Sequence, residues 1–159
     1  MRDEEVARFT HRHFDEGFSF LLDYDEVQEW SLWLAKQERT ARGEDLAPDR
    51  VRAEFLAADV DGVLVGRVSI RYELNDFLAA RGGHVGYGVL AEHRGRGYAT
   101  AILRAALARL RAAGVHDVLV TVDDTNVASI RTIERRGGRM ESVVTDDQGH
   151  RIRRYWCTD

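Results

Sequence analysis

Residues 92–100 read Glu-His-Arg-Gly-Arg-Gly-Tyr-Ala-Thr, and this stretch decides how the chain is interpreted. It lies between a strand-like segment, Gly86 to Leu90, and an amphipathic pattern that predicts a helix over Ala99 to Ala113. Glycine allows tight bends and lets the backbone approach a ligand closely. The first turn of a helix has N–H groups without intrahelical partners and a partial positive charge, which together suit phosphate. The stretch therefore predicts a binding site for a phosphate-bearing cofactor.

The composition is that of a folded protein and excludes several functional classes. The chain has 159 residues, of which 44% are hydrophobic, and this length is typical of one domain. Its formal net charge of -4 argues against a general nucleic-acid-binding protein, because such proteins carry a basic surface. The single cysteine, Cys157, cannot form an internal disulfide, which favours a reducing, cytoplasmic setting. No apolar run reaches the roughly 18 residues of a membrane span, so we expect no membrane association.

The order of the predicted elements indicates a mixed α/β domain around one sheet. A first helix is predicted over Tyr24 to Thr40, a helical turn over Asn75 to Arg81, and a two-residue hairpin turn at Asp61-Gly62. The predicted strands are Val51–Val60, Val63–Tyr72, His84–Leu90, Asp117–Val122, Arg139–Thr145 and Arg151–Cys157, and the later helices are Ala99–Ala113 and Asn126–Arg136.

Three kinds of phosphate ligand compete for the glycine stretch. A Walker loop requires a lysine directly after its glycines, whereas the only lysine of this chain is Lys36. A dinucleotide fingerprint, as in nucleotide-dependent oxidoreductases, requires glycine where Thr100 stands, and it normally opens a larger sheet than the rest of this chain can form. The third ligand is coenzyme A, and two motifs favour it.

Both motifs resemble those of the GNAT superfamily of N-acetyltransferases. Residues 94–99, Arg-Gly-Arg-Gly-Tyr-Ala, are similar to its R/Q-x-x-G-x-G/A signature, and Val89 to Arg94 resemble its V-x-P-x-x-R lead-in, with Ala91 in place of proline. Residues 126–138 resemble its second motif, N-x-x-[AS]-x-x-x-[YI]-E-x-x-G. The resemblance covers roughly residues 60–157, and residues 84–100 also look like the branch that acetylates protein N-termini or antibiotics.

The resemblance implies both a fold and an activity. The expected fold is one domain over 1–159, with an acceptor-side helical region over 1–50 and an acetyl-coenzyme A-binding core over 51–159. Its sheet is expected to be mixed and mostly antiparallel, with six to seven strands, splayed after the central strands and flanked by helices. The implied reaction is direct attack of a primary amine on acetyl-coenzyme A, without a metal. The acceptor would be a small-molecule amine or a protein N-terminus, and homodimers are common in the family.

The resemblance also implies which residues hold the cofactor. The loop amides would cradle the pyrophosphate, with added charge from Arg94 and Arg96. Unpaired backbone groups near Val89 and Leu90 would pair with the pantetheine arm and stabilise the oxyanion. The residues implied to contact the cofactor are Val89, Leu90, Arg94, Gly95, Arg96, Gly97, Tyr98, Ala99, Thr100, Asn126 and Ser129.

The catalytic groups are less well defined by the sequence. His84 stands where related enzymes often carry glutamate, which makes it a candidate base, although a histidine there can equally hold the strand edge by a hydrogen bond. Glu73, at the end of the preceding strand, is a second candidate base. Ile133 occupies the position of the family's usual proton-donating tyrosine. Either Ser129, Tyr87, Tyr98 or water supplies the proton instead, or the thiolate leaves without one. The same departure leaves open a non-catalytic acyl-coenzyme A sensor as the alternative function.

Overall fold

Strands and helices alternate around a single sheet in the computed structural model, which describes residues 30–158. The helices are α1 (Trp30–Arg42), α2 (Tyr98–Ala112) and α3 (Val127–Arg135), with a π-helical turn over Leu78–Gly82 and a 3-10 turn over Ala91–His93. The strands are β1 (Ala53–Val60), β2 (Val63–Arg71), β3 (Val85–Val89), β4 (Val118–Asp123), β5 (Arg139–Thr145) and β6 (Arg151–Cys157).

The six strands of the described residues lie in the order β1-β2-β3-β4-β6-β5. Every neighbouring pair is antiparallel except β3 and β4, which are parallel. This confirms the predicted mixed α/β class, with a mostly antiparallel sheet flanked by helices. The first part of the predicted Tyr24–Thr40 helix, and most of the predicted acceptor-side region 1–50, lie outside the described residues.

Local sequence signals account for several of these elements. Asp61 and Gly62 have φ angles of 52° and 82°, so they form the left-handed hairpin turn that a two-residue connection between β1 and β2 requires. The predicted apolar stripe of α2 is buried, and its members are Ile102, Leu103, Ala106, Leu107 and Leu110. The main core therefore lies between α2, α3 and one face of the sheet.

Alternation along β4 gives the sheet two different faces. Val118, Val120 and Val122 belong to the core beneath α2 and α3. Because neighbouring side chains of a strand point to opposite faces, Thr121 lies on the other face, where its hydroxyl donates to the carbonyl of Arg81 at 2.5 Å. We call the face that carries Val118, Val120 and Val122 the helix face, and the face that carries Thr121 the opposite face.

The contact between β3 and β4 divides the sheet into two halves. These strands pair at one position only, Val85 with Val120, whereas every other neighbouring pair has five or more paired positions. Beside this pair, the N–H of His84 donates to the carbonyl of Leu119 at 2.7 Å. The two halves, β1-β2-β3 and β4-β6-β5, therefore diverge toward the carboxyl ends of β3 and β4.

Candidate active site

A cleft of about 1020 Å³ occupies the space where β3 and β4 diverge. One wall is β3 from Val85 to Val89, and the other is the end of β4, residues 121–123. Arg94 and Ala99 line it beside the glycine loop. The α3 segment contributes Asn126, Ala128, Ser129, Thr132 and Ile133, and the opposite face contributes Arg81, Asp146, His150 and Ile152.

The register of β2 and β3 determines which backbone groups of β3 face this cleft. At the two ends of the pairing, the N–H of Arg71 donates to the carbonyl of His84 (2.8 Å) and the N–H of Leu90 donates to that of Val65 (2.9 Å). Hydrogen-bonded positions alternate along an antiparallel pair, so the even-numbered residues of β3 direct their backbone groups to β2. The odd-numbered Tyr87 and Val89 therefore direct theirs into the cleft.

This register corrects one sequence expectation, the unpaired backbone groups at Leu90. The N–H of Leu90 is bonded to β2, and its carbonyl accepts the N–H of His93 at 2.9 Å. At Val89 the carbonyl accepts Nε of Arg94 at 3.2 Å, which ties the glycine loop to the end of β3. The backbone groups open to the cleft are thus those of Tyr87 and the N–H of Val89. Of the two predicted positions, Val89 keeps an N–H directed to the cleft, and Tyr87 takes the place of Leu90.

The glycine loop presents a continuous run of amide groups. Gly95 and Gly97 have φ angles of 76° and 83°, a left-handed conformation that favours glycine. The first intrahelical bond of α2 runs from the N–H of Ala101 to Gly97, so the amides of residues 98–100 have no acceptor within the helix. Within residues 30–158, the N–H groups of residues 95–97 likewise form no hydrogen bond. This run is suited to hold an anion.

The start of α3 lies across the cleft from β3. The side-chain oxygen of Asn126 accepts the N–H of Ser129 at 3.0 Å, so Asn126 caps the helix. Both residues also line the cleft. Because the cap uses only the oxygen of the Asn126 amide, its NH₂ group stays available for a ligand.

Tyr87 brings a hydroxyl from β3 to the same helix. Its hydroxyl lies 3.5 Å from the carbonyl of Ser129, at the outer limit of a hydrogen bond, and burial raises the pKa of this phenol above its ordinary value. Ile133, one turn further along α3, is fully buried and offers no proton. Tyr87 therefore brings a phenol that stays protonated at neutral pH into the cleft. Ile133 stands in the same cleft at the position of the family's usual tyrosine.

His84 is placed as a bridge between β3 and β4. Its side chain is only 6% exposed, it is not among the residues that line the cleft, and its Nδ1 accepts the N–H of Leu119 at 2.9 Å. In the neutral imidazole the remaining nitrogen then carries the proton, so neither nitrogen has a free lone pair. His84 therefore has the hydrogen-bonding role that the sequence offered as an alternative to catalysis. Its role as a base stays a prediction, and the side chain does not line the cleft. Glu73 is exposed beyond β2 and also does not line the cleft.

The variants His84→Ala and His84→Asn separate the two roles of His84. We expect His84→Ala to lower the free energy of unfolding by about 1–3 kcal/mol, because the buried N–H of Leu119 loses its acceptor. In His84→Asn the side-chain oxygen can replace Nδ1, so this variant should keep most of the stability and the native pH–rate profile. Urea unfolding and pH–rate profiles of both variants measure this.

The pH dependence of stability provides the control for these two variants. Burial lowers the pKa of His84 below the ordinary histidine value. Below about pH 6.5 the unfolded chain then binds more protons than the folded one, so the native protein loses stability as the pH falls. Asparagine cannot titrate, and His84→Asn should lose less stability in this range. If both variants instead lost turnover and also lost the acidic limb of the pH–rate profile, His84 would be identified as the base.

The sequence reading missed the cleft residues on the opposite face. Arg81 precedes β3, Asp123 ends β4, and Asp146 and His150 belong to the turn between β5 and β6. The two strands were predicted, but nothing local indicates that the turn between them meets the cleft. The pairing of Asp123 with Ile152 brings it there, and a correct strand order would have been the signal.

Residues 30–158 contain neither a candidate metal site nor a candidate membrane span. In this range no group of three or more histidine, cysteine, aspartate or glutamate side chains is arranged to hold a metal ion. None of the helices described here combines the length and apolarity needed to cross a membrane.

Comparison with known families identifies the family of this chain. The model of the acetyltransferase (GNAT) family matches residues 18–138, which is more than half of the chain. This chain belongs to the GNAT acetyltransferase family. Membership confirms the predicted family and the predicted enzyme class, an acyltransferase, with acetyl-coenzyme A as the cosubstrate of the family. No curated protein sequence matches this GNAT protein significantly.

Solved structures share the GNAT fold at low sequence identity. The yncA protein of Salmonella typhimurium, solved with its cofactor acetyl-CoA, is 20% identical over 84% of this chain and 76% of its own, with a TM-score of 0.57. The spermidine/spermine N-acetyltransferase SpeG of Vibrio cholerae is 16% identical over 98% and 90%, with a TM-score of 0.64. A ribosomal-protein-alanine N-acetyltransferase of Brucella melitensis is 16% identical over 82% and 78%, with a TM-score of 0.60. At such identities these likenesses show the fold alone.

Proposed function

We propose that this protein is an acetyl-coenzyme A-dependent N-acetyltransferase that acts on a primary amine by direct attack on the thioester. The observation that carries the proposal is the β3–β4 cleft, which extends from the glycine loop to the opposite face of the sheet. One ligand can thus enter from the helix face and another from the opposite face, and they can meet between the strands. No covalent acyl-enzyme is needed when both reactants are positioned in this way.

The donor is proposed to lie along β3. Its pyrophosphate accepts hydrogen bonds from the amides of residues 95–100, and Arg96, which is exposed beside them, adds positive charge. The pantetheine arm pairs with the backbone groups of Tyr87 and Val89 in the manner of an added strand. Whichever of these two N–H groups faces the thioester carbonyl stabilises the oxyanion that forms during attack. Asn126 and Ser129 contact the arm from α3.

Tyr87 is proposed to protonate the departing thiolate, since its hydroxyl is the phenol that β3 places against α3. We expect Tyr87→Phe to lower kcat about 100-fold, in the range of a lost general acid, while the Kd of acetyl-coenzyme A stays within a factor of two to three. Steady-state kinetics and calorimetry measure the two quantities. The matched control is Tyr72→Phe, which removes the hydroxyl bonded to Glu54 at 2.9 Å, outside the cleft. An unchanged kcat in Tyr87→Phe would assign the proton to another donor.

The proposed acceptor is an amine, either a small molecule or a protein N-terminus. Among structural neighbours, SpeG is named for spermidine and spermine, and the Brucella enzyme for the alanine of a ribosomal protein. The test is release of free thiol from acetyl-coenzyme A with a panel of spermidine, a peptide with N-terminal alanine, free amino acids and aminoglycosides. Turnover on one class identifies the acceptor.

The alternative is a non-catalytic acyl-coenzyme A sensor, and Ile133 at the usual tyrosine position is the observation that favours it. Calorimetry with acetyl-coenzyme A separates the two functions when combined with the panel. Binding without turnover on any amine would support the sensor. Homodimer formation and the single-domain boundaries 1–159 remain predictions, which sedimentation and limited proteolysis address.

A further inference from the structure

On the opposite face, the mouth of the cleft contains an oriented histidine. His150, in the β5–β6 turn, lines the cleft together with Asp146 of the same turn and Asp123 of β4. The side chain of His150 is 62% exposed, whereas that of Asp146 is 11% exposed. A nearly buried carboxylate thus lies directly behind an accessible imidazole.

The Asp146 carboxylate is held in one orientation by its own turn. One oxygen accepts the N–H of Gln148 at 2.9 Å and the N–H of His150 at 2.8 Å. The other lies 3.2 Å from Nδ1 of His150 and 3.6 Å from a guanidinium nitrogen of Arg81. These hydrogen bonds, above all that from the His150 N–H, hold the pKa of Asp146 below its ordinary value, so the group is ionised at neutral pH.

An ionised carboxylate determines the tautomer of the histidine that it contacts. A carboxylate only accepts hydrogen bonds, so Nδ1 of His150 must carry the proton that faces Asp146. The neutral imidazole then has its lone pair on Nε2. This is the arrangement of a general base whose ring is oriented by a third group.

The charges around this mouth favour an ammonium group. The Asp123 carboxylate accepts the hydroxyl of Thr125 at 2.5 Å and the N–H of Thr125 at 2.8 Å, and these hydrogen bonds lower the pKa of the carboxyl. The other charged side chains near the mouth of the cleft form ion pairs with one another. Arg81 lies 3.6 Å from Asp146 and 3.8 Å from Asp147, and Asp124 is paired with Arg151 at 3.0 Å and with Arg153.

We propose that His150, oriented by Asp146, is the general base that deprotonates the acceptor amine. The inference rests on the proposed acetyl transfer and specifies its first step. Nε2 of His150 removes one proton from the ammonium form of the acceptor, and the freed lone pair attacks the thioester carbon. The C–N bond forms and the C–S bond breaks. The departing thiolate takes the phenol proton of Tyr87, the second amine proton restores that phenol, and His150 returns its own proton to solvent.

The test compares His150→Gln and Asp146→Asn by measuring kcat/KM for the most rapidly acetylated amine of the panel from pH 5 to 10. We expect His150→Gln to lower kcat/KM about 100-fold at pH 7. The gap should narrow as the pH approaches the amine pKa, where the amine is already neutral. Asp146→Asn keeps the oxygen that accepts the two backbone N–H groups but loses the carboxylate behind Nδ1. We expect its kcat/KM to fall about 10-fold or more.

The acidic limb of the profile should disappear in His150→Gln, because glutamine cannot take up the amine proton. The control is His116→Gln, an exposed histidine before β4 that does not line the cleft, which should keep the native profile. Melting curves and acetyl-coenzyme A affinities of all variants should match the native values. A His150→Gln profile that keeps the limb, or a loss that is constant with pH, would overturn this inference alone. A native protein that acetylates no amine would overturn the proposed function together with it.

Discussion

Gly97→Val is expected to weaken acetyl-coenzyme A binding about 100-fold, which corresponds to the loss of two charge-assisted hydrogen bonds at about 1.5 kcal/mol each. Gly97 precedes the first residue of α2 with a φ of 83°, which valine rarely adopts, so the neighbouring amides should turn away from the pyrophosphate. A Cβ at this position would meet no other heavy atom of the described chain within 4 Å, so the expected effect comes from the changed backbone conformation and not from a clash. Calorimetry with acetyl-coenzyme A measures the loss.

Gly114→Val is the matched control for this experiment. Gly114 follows α2 with a φ of 89°, and a Cβ there would also meet nothing within 4 Å, but the residue lies at the other end of the helix from the glycine loop. Both variants therefore carry similar backbone strain, and only one changes the glycine loop. We expect Gly114→Val to bind acetyl-coenzyme A normally at temperatures where it is folded. Equal affinities of the two variants would contradict the assignment of the loop.

Gly83→Ala is expected to lower the free energy of unfolding by about 3 kcal/mol or more, a large part of the stability of a small domain. Gly83 has φ 62° and ψ −177°, a region open almost only to glycine. A Cβ there would lie 2.7 Å from the carbonyl oxygen of Leu119 and 3.2 Å from the N atom of Thr121, both backbone atoms of β4. Relief of this clash must separate β3 from β4 at their one paired position. Urea unfolding measures the change.

Gly62→Ala isolates the contribution of the clash. Gly62 has a φ of 82° in the β1–β2 turn, and a Cβ there would meet nothing within 4 Å. Its expected cost is about 1 kcal/mol, from backbone strain alone. The difference between the two variants therefore measures how closely the backbones of β3 and β4 approach each other. Similar losses in both would mean that β4 shifts easily.

Features that depend on neighbours in sequence were predictable. The left-handed turn at Asp61-Gly62, the cap at Asn126 and the strands Arg139–Thr145 and Arg151–Cys157 all follow from residue types over a short window. The glycine loop belongs to this group, since Gly95 and Gly97 adopt the left-handed conformation that their spacing indicates. The conformation of this loop therefore follows from the sequence, and its contact with the cofactor stays a prediction.

Features that depend on strand register could not be predicted from the sequence. The expectation at Leu90 was displaced because the backbone groups of a strand alternate between its two neighbours, and only the pairing of β2 with β3 shows which residues face the cleft. His84 suited a base by type and position, yet packing against β4 buries it and occupies Nδ1. The meeting of His150 with the cleft depends on β6 lying beside β4, a contact between distant parts of the chain.

The single pair between Val85 and Val120 has a consequence for acyl-chain length. Each half of the sheet has its own helix, because α2 packs on β2 and β3 while α3 packs on β4. A small rotation of one half against the other would widen the cleft and preserve the strand pairing within both halves. We therefore expect propionyl and butyryl thioesters to be accepted by the same scaffold, and thiol release from each thioester with the most rapidly acetylated amine measures this.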